Sequence, residues 1–126
     1  MIFPTNFLWG ASTSAFQVEG GYNEGGKGVA TTDLGARRPG IADNKVAADH
    51  YHHWKEDVDL MAELGLKVYR MGFSWSRIMP DATCTPNPEG LAFYDRLIDY
   101  LLEKGIEPLV TLYHFCLLYT SPSPRD

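Results

Sequence analysis

Basic residues are scarce and scattered in this sequence. Eleven Lys and Arg stand against 16 Asp and Glu, a net charge of −5, and only Arg37-Arg38 sets two cations side by side. Nucleic acid and anionic membrane both require a clustered basic face, so neither is expected as a partner. Cysteine is as sparse. Cys84 and Cys116 lie far apart and lack His or Cys partners at metal-ligand spacing, which argues against a disulfide scaffold and a zinc site and leaves two free thiols. No apolar run reaches membrane-spanning length. Met1-Ile2-Phe3-Pro4-Thr5-Asn6 has neither the positive start nor the cleavage site of a secretory leader, so a cytoplasmic location is expected.

What is present is globular material. The 126 residues are 44% hydrophobic and 21% charged, with aromatic and aliphatic residues spread throughout. Residues 7–14 form an apolar stretch that turns small and polar, the pattern of a buried strand emptying into a loop. Residues 20–40, rich in glycine, predict a long irregular loop. Its Gly25-Gly26-Lys27-Gly28 cluster does not connect a strand directly to a helix, as a phosphate cradle would. Between Val46 and Leu64, the spacing of Ala47, Tyr51, Trp54, Val58 and Met61 predicts an amphipathic helix closed by Gly65. Residues 67–75 predict a second strand. Asn87-Pro88-Glu89 then opens a second long helix whose stripe is Leu91, Tyr94, Leu97, Ile98, Leu101 and Leu102, and Gly105 ends it. Residues 107–114 predict a third strand, with Pro108 near its start where a missing donor is tolerated. Strands alternating with helices predict an α/β fold with a parallel sheet, either open and doubly wound or an arc of a barrel.

In either architecture, chemistry belongs at the carboxyl ends of the strands. The polar residues expected there are Gln17, Glu19, Arg70, Ser74, Trp75 and His114. Tyr69, Met71 and Phe73 form one apolar face of the second strand, which leaves Val68, Arg70, Gly72 and Ser74 on the other. A cation lining a barrel lumen requires a carboxylate partner, and Arg70 is equally readable as half of a structural ion pair. His114 is readable as a ligand contact or as a core histidine. Trp9, Trp54 and Trp75 could stack on sugar faces, although Trp54 belongs to the helix stripe. His50, His52 and His53 are too close together on one helix to converge on a metal ion, so no metal and no cofactor are expected.

The run from Phe7 through Gly20, Phe-Leu-Trp-Gly-Ala-Ser-Thr-Ser-Ala-Phe-Gln-Val-Glu-Gly, closely resembles the amino-terminal signature of family 1 glycoside hydrolases. The match continues through 24–28, 50–57, 69–78 and 111–115. The resemblance implies the first three β/α units of a TIM (β/α)8 barrel, incomplete in this chain, with residues 1–115 belonging to the catalytic barrel. Members hydrolyse β-glycosides with retention, using two carboxyl groups about 5 Å apart. Gln17 and His114 match the residues that hydrogen-bond the non-reducing sugar, and Arg70 matches the arginine that pairs with the nucleophile. Phe115 stands where many members have tryptophan.

No catalytic residue is expected within this chain. The family's acid/base glutamate follows the fourth strand in Asn-Glu-Pro and its nucleophile follows the seventh, and neither stretch occurs in this sequence. After His114-Phe115 the family continues with Asp-Leu-Pro, whereas residues 116–126 read Cys-Leu-Leu-Tyr-Thr-Ser-Pro-Ser-Pro-Arg-Asp and are expected to be an unrelated, non-native tail. A barrel takes roughly 250 residues or more, so three strands leave an open edge, and the chain alone is expected to be inactive and poorly soluble. The substrate expected for the parent enzyme is a β-glucoside, or a 6-phospho-β-glucoside. The run Gly28-Val29-Ala30-Thr31-Thr32-Asp33 departs from the Ser-Ile-Trp pattern of plain β-glucosidases. A reading from another class is a small non-catalytic carbohydrate-binding α/β module, which a natural stop codon and a cooperatively folding product would favour.

Overall fold

The computed structural model describes residues 2–35 and 39–113. Three short parallel strands, β1 (Gly10–Ser12), β2 (Val68–Gly72) and β3 (Glu107–Thr111), form one sheet in the order β1-β2-β3. Ser12 lies beside Arg70 and Arg70 beside Leu109, while Gly72 lies beside Thr111. This register puts Ser12, Arg70, Leu109 and Thr111 on one face, because side chains alternate along a strand. Tyr69, Met71 and Val110 point the other way. Tyr69 and Met71 are buried while Arg70 is exposed, so the two faces divide as the sequence pattern implies.

The helices cover the apolar face. A four-residue helix α1 (Ala15–Val18) follows β1, α2 (His50–Glu63) precedes β2, the short α3 (Trp75–Ile78) follows it, and α4 (Pro88–Glu103) precedes β3. Val58 of α2 and Phe93, Tyr94, Leu97 and Leu101 of α4 join Tyr69, Met71, Ile78 and Ile106 in one core. Tyr51, Trp54 and Met61 pack at its border. Burial of each large core side chain contributes about 1.5–3 kcal/mol. The other sheet face has no such cover among the described residues, and Leu109 is 57% exposed.

Both long helices end by the same device. Gly65 and Gly105 adopt φ of 76° and 74°, a conformation that costs glycine no Cβ clash. The amides of Gly65 and Leu66 return to Ala62 and Met61, and those of Gly105 and Ile106 return to Leu102 and Leu101. Each pair is a Schellman closure that turns the chain directly into the next strand. At the start of α4, the Asn87 side chain accepts from the Glu89 amide at 3.3 Å and Pro88 occupies the first turn.

The elements are shorter than the sequence pattern predicts, for identifiable reasons. Helix α2 begins at His50 rather than near Val46, because Ala47 and Asp49 take positive φ of 52° and 53°. Its first turn is anchored instead by the Tyr51 amide donating to the Glu19 carbonyl at 2.8 Å. The β3 ladder ends at Thr111, where β2 ends opposite it at Gly72. Residues 7–9, expected in the first strand, precede the ladder, and Phe7 and Trp9 stack with Phe3 at centroid separations of 4.5–4.8 Å. Helices α1 and α3 and the 3-10 turn Thr31–Asp33 are additional.

Candidate functional site

The carboxyl ends of the three strands form one rim. Thr13, the first residue after β1, donates its amide to the Arg70 carbonyl at 3.0 Å, and the Phe73 amide reaches the Thr111 carbonyl at 3.1 Å. Backbone pairing therefore extends one residue past the ladders on both sides of β2. Gln17 lies on α1 just beyond this rim, with its side chain exposed. His114 lies outside the described residues.

Arg70 stands on the uncovered face of the sheet. Its Nε donates to Thr111 Oγ1 at 3.0 Å and its Nη1 to Ser12 Oγ at 3.5 Å, so hydroxyls of both neighbouring strands orient one guanidinium. These are neutral acceptors. Among the described residues no carboxylate lies within ion-pair distance of Arg70, and its charge remains available to a partner across the open face.

Glu19 has a different place from the one its position after a strand suggests. It is 5% exposed, with Oε2 accepting from Arg77 Nε at 3.1 Å and Oε1 accepting from the Tyr94 hydroxyl at 2.5 Å. Tyr94 in turn accepts from the Ser74 amide at 2.7 Å. Burial, and then the Glu19 charge, push the Tyr94 hydroxyl well above the usual tyrosine range. Glu19 is thus a fastened structural carboxylate rather than a free acid or base. Position along the chain does not mark Arg77, which is fully buried, because nothing in the sequence couples residue 77 to residue 19. Its place in the matched stretch Trp75-Ser76-Arg77-Ile78 was the only signal.

The remaining rim candidates separate. Ser74 is buried at 2% exposure and precedes α3, whereas Trp75 is 37% exposed at its start. Trp9 belongs to the aromatic cluster before β1, at the opposite end of the strand from the rim. Trp54 packs edge-on to Tyr100 at 5.7 Å on the helix stripe. The three histidines of α2 pair with carboxylates of their own helix and its surroundings, and His53 Nε2 also lies 3.6 Å from the Asp49 carboxylate that His52 uses. His50 Nδ1 meets Asp57 at 2.6 Å, His52 bridges Asp49 at 2.6 Å and Glu24 at 2.8 Å, and His53 meets Glu56 at 3.2 Å. Hydrogen bonds to Asp49, then to Glu24, raise the His52 pKa above the ordinary histidine value. In the glycine-rich loop, Lys27 forms a 2.7 Å ion pair with Asp33, which also accepts from the Ala30 amide at 2.9 Å.

Comparison with known proteins gives these positions a context. The profile described as "Glycosyl hydrolase family 1" matches residues 1–120. Over 119 residues the chain is 50% identical to β-glucosidase 25 of Oryza sativa subsp. japonica, covering 91% of this chain and 24% of the relative. It is likewise 50% identical to the aryl-phospho-β-D-glucosidase BglC of Bacillus subtilis (strain 168), covering 91% and 25%. Among solved structures, the family 1 β-glucosidase of Thermotoga maritima superposes with a TM-score of 0.86 at 45% identity, covering 93% of this chain and 27% of that one. The chain spans about a quarter of the length of these relatives.

Proposed function

The chain belongs to glycosyl hydrolase family 1, and from that premise we propose that it supplies the first wall of the sugar pocket of a retaining β-glycosidase. In this reading Gln17 and His114 hydrogen-bond hydroxyls of the terminal glucose, and Arg70 pairs with the nucleophilic carboxylate. Retention requires a nucleophile and an acid/base separated by about 5 Å. Among the described residues the one carboxylate close behind a strand end, Glu19, is spent on Arg77 and Tyr94. Hydrolysis therefore needs carboxylates from beyond these residues, and the isolated chain is inactive.

One observation carries the reading. Arg70 is a cation on the uncovered sheet face, oriented by the hydroxyls of Thr111 and Ser12 and without a carboxylate among the described residues. An ion pair within the described residues would already be closed, so the carboxylate that Arg70 pairs with in this reading comes from outside them. A cation beside the nucleophile keeps it ionised and steadies it as the glycosyl bond forms.

The test is a graft in which residues 1–113 replace the matching segment of the Thermotoga maritima β-glucosidase. The graft is expected to hydrolyse an aryl β-glucoside, while the 126-residue chain alone gives no rate above background. Gln17→Ala in the graft is expected to lower kcat/KM about tenfold to a hundredfold, as loss of a sugar hydrogen bond should. A folded but inactive graft, or turnover by the chain alone, overturns the proposal. The equal identity to the Oryza β-glucosidase and the Bacillus aryl-phospho-β-D-glucosidase favours neither the plain nor the 6-phospho reading, and assaying the full-length enzyme with both substrate types decides between them.

A further inference from the structure

We propose that Arg77 is a positioning residue for the sugar-binding rim, its buried guanidinium setting the place of Gln17 and of the loop that follows; this rests on the reading of Gln17 as a sugar contact. The argument begins with α1. Four residues make one turn, far too short to hold a helix by its own hydrogen bonds, so its place must be imposed by tertiary contacts. Those contacts converge on the residue two positions after Gln17. The Glu19 carboxylate is gripped by Arg77 Nε and the Tyr94 hydroxyl, and the Glu19 carbonyl accepts from the first turn of α2.

The same guanidinium also gathers the backbone beyond. Its Nη2 donates to the carbonyls of Gly20 at 3.2 Å and Gly21 at 3.3 Å, and its Nη1 donates to that of Glu24 at 3.2 Å. Its plane lies over the Tyr51 ring at 4.2 Å. Three carbonyls and a carboxylate around one planar fork require the divergent donors of arginine, since a lysine ammonium is a point charge with three donors on a flexible stem. The arrangement is closed from behind. Asn87 Nδ2 donates to the carbonyls of Gly25 at 2.7 Å and Arg77 at 3.0 Å, and the Gly28 amide donates to the Ser76 carbonyl at 2.8 Å. The turn after β2 thereby fixes the loop after β1, and with it the exposed Gln17.

The experiment uses the graft and follows two signals, hydrogen exchange of the peptides spanning residues 14–28 and the kinetics of aryl β-glucoside hydrolysis. Arg77→Lys is expected to speed exchange in 14–28 while the α4 peptides keep their protection. It is also expected to raise KM about tenfold, comparable to one lost hydrogen bond, with kcat changing less. Should Lys fail to fold, Glu19→Gln keeps one acceptor oxygen where the carboxylate has two, so it can accept from Arg77 or from Tyr94 but not from both, and it is expected to give the same local signature. Unchanged exchange in 14–28, or a loss of protection spread evenly over α4, overturns the proposal. A normal KM in the Arg77→Lys graft overturns it also. Gln17→Ala in the same graft separates the two readings. If it leaves KM unaltered, the assignment of Gln17 falls, while exchange in 14–28 still judges the clamp.

Discussion

Replacing Tyr94 with Phe removes one oxygen from the centre of the molecule, and the consequence can be worked from its two hydrogen bonds. The hydroxyl accepts from the Ser74 amide at 2.7 Å and donates to Glu19 Oε1, within a residue that is 3% exposed. Without it the Ser74 N–H is buried and unpaired, which costs about 1–3 kcal/mol. Loss of the bond to the charged carboxylate costs about 1.5–3 kcal/mol, towards the lower end because Arg77 still holds the other oxygen. The two losses share partners and do not simply add, so the expected destabilisation is about 2–4 kcal/mol. With a urea m-value of about 1–3 kcal/mol per molar for a chain of this size, the unfolding midpoint should fall by about 1–2 M. The pH dependence supplies a second, independent reading. Burial raises the folded-state pKa of Tyr94, so its contribution is fully present below the unfolded tyrosine pKa of about 10. Above that pH the unfolded chain releases a proton that the folded one keeps, and stability falls. Tyr94→Phe has no such proton, so the gap between wild type and variant should narrow as pH rises past about 10. Urea titrations at pH 7 and at several alkaline pH values measure both. A difference under about 0.5 kcal/mol at pH 7, or a gap that stays constant into the alkaline range, would refute the reasoning.

Three further outcomes are expected. Gly90→Ala puts an alanine in the first turn of α4, where propensity alone favours it by about 1 kcal/mol, yet its Cβ would run into the Arg77 carbonyl oxygen. The clash is with backbone and should win, giving a net loss of about 1–3 kcal/mol in urea unfolding. Proton NMR of the His52 ring should show a midpoint above the ordinary histidine value, lowered more by Asp49→Asn than by Glu24→Gln; the contact stabilises below the ordinary pKa and fades as pH rises through the elevated one. Thr111→Val removes the acceptor of Arg70 Nε, and in the graft the acidic limb of kcat/KM should move up by about half a unit to one unit as the nucleophile loses part of its charge partner.

Much of this architecture is legible in the residues because it rests on local periodicity. The alternation around Arg70, the Tyr94, Leu97 and Leu101 line of α4 and the glycines at 65 and 105 each report a face or an ending that few neighbouring residues determine. Leu91 and Leu102 of the expected stripe are exposed, whereas Phe93, outside it, is buried because the core lies one position round the helix. What is not legible depends on residues far apart in the chain. Helix α1 forms where Glu19 is held by residues 58 and 75 positions away. The turn α3 carries an arginine whose side-chain hydrogen bonds go to Glu19 and to carbonyls of the glycine-rich loop, more than 50 residues back along the chain. Glu19 shows the limit most directly. Its place after a strand fits a rim carboxylate, and only the approach of Arg77 and Tyr94 makes it a buried anchor. Gln17 and Arg70, by contrast, occupy the rim and the uncovered face that their positions after and within strands imply.

Arg70 and Arg77 lie seven residues apart and do opposite work, and the physical difference between them is the strongest guide to the site. A guanidinium taken out of water must be matched, and Arg77 is matched completely, by a carboxylate, three carbonyls and an aromatic ring. Arg70 has two hydroxyls, enough to orient it and too little to neutralise it. Once the uncovered face is enclosed by further β/α units, burial would make that imbalance costly unless the enclosing wall brings a negative charge to Arg70. In the function proposed above that charge is the nucleophile's, the pairing that the family resemblance at Arg70 implies, and Arg70 would favour its ionisation.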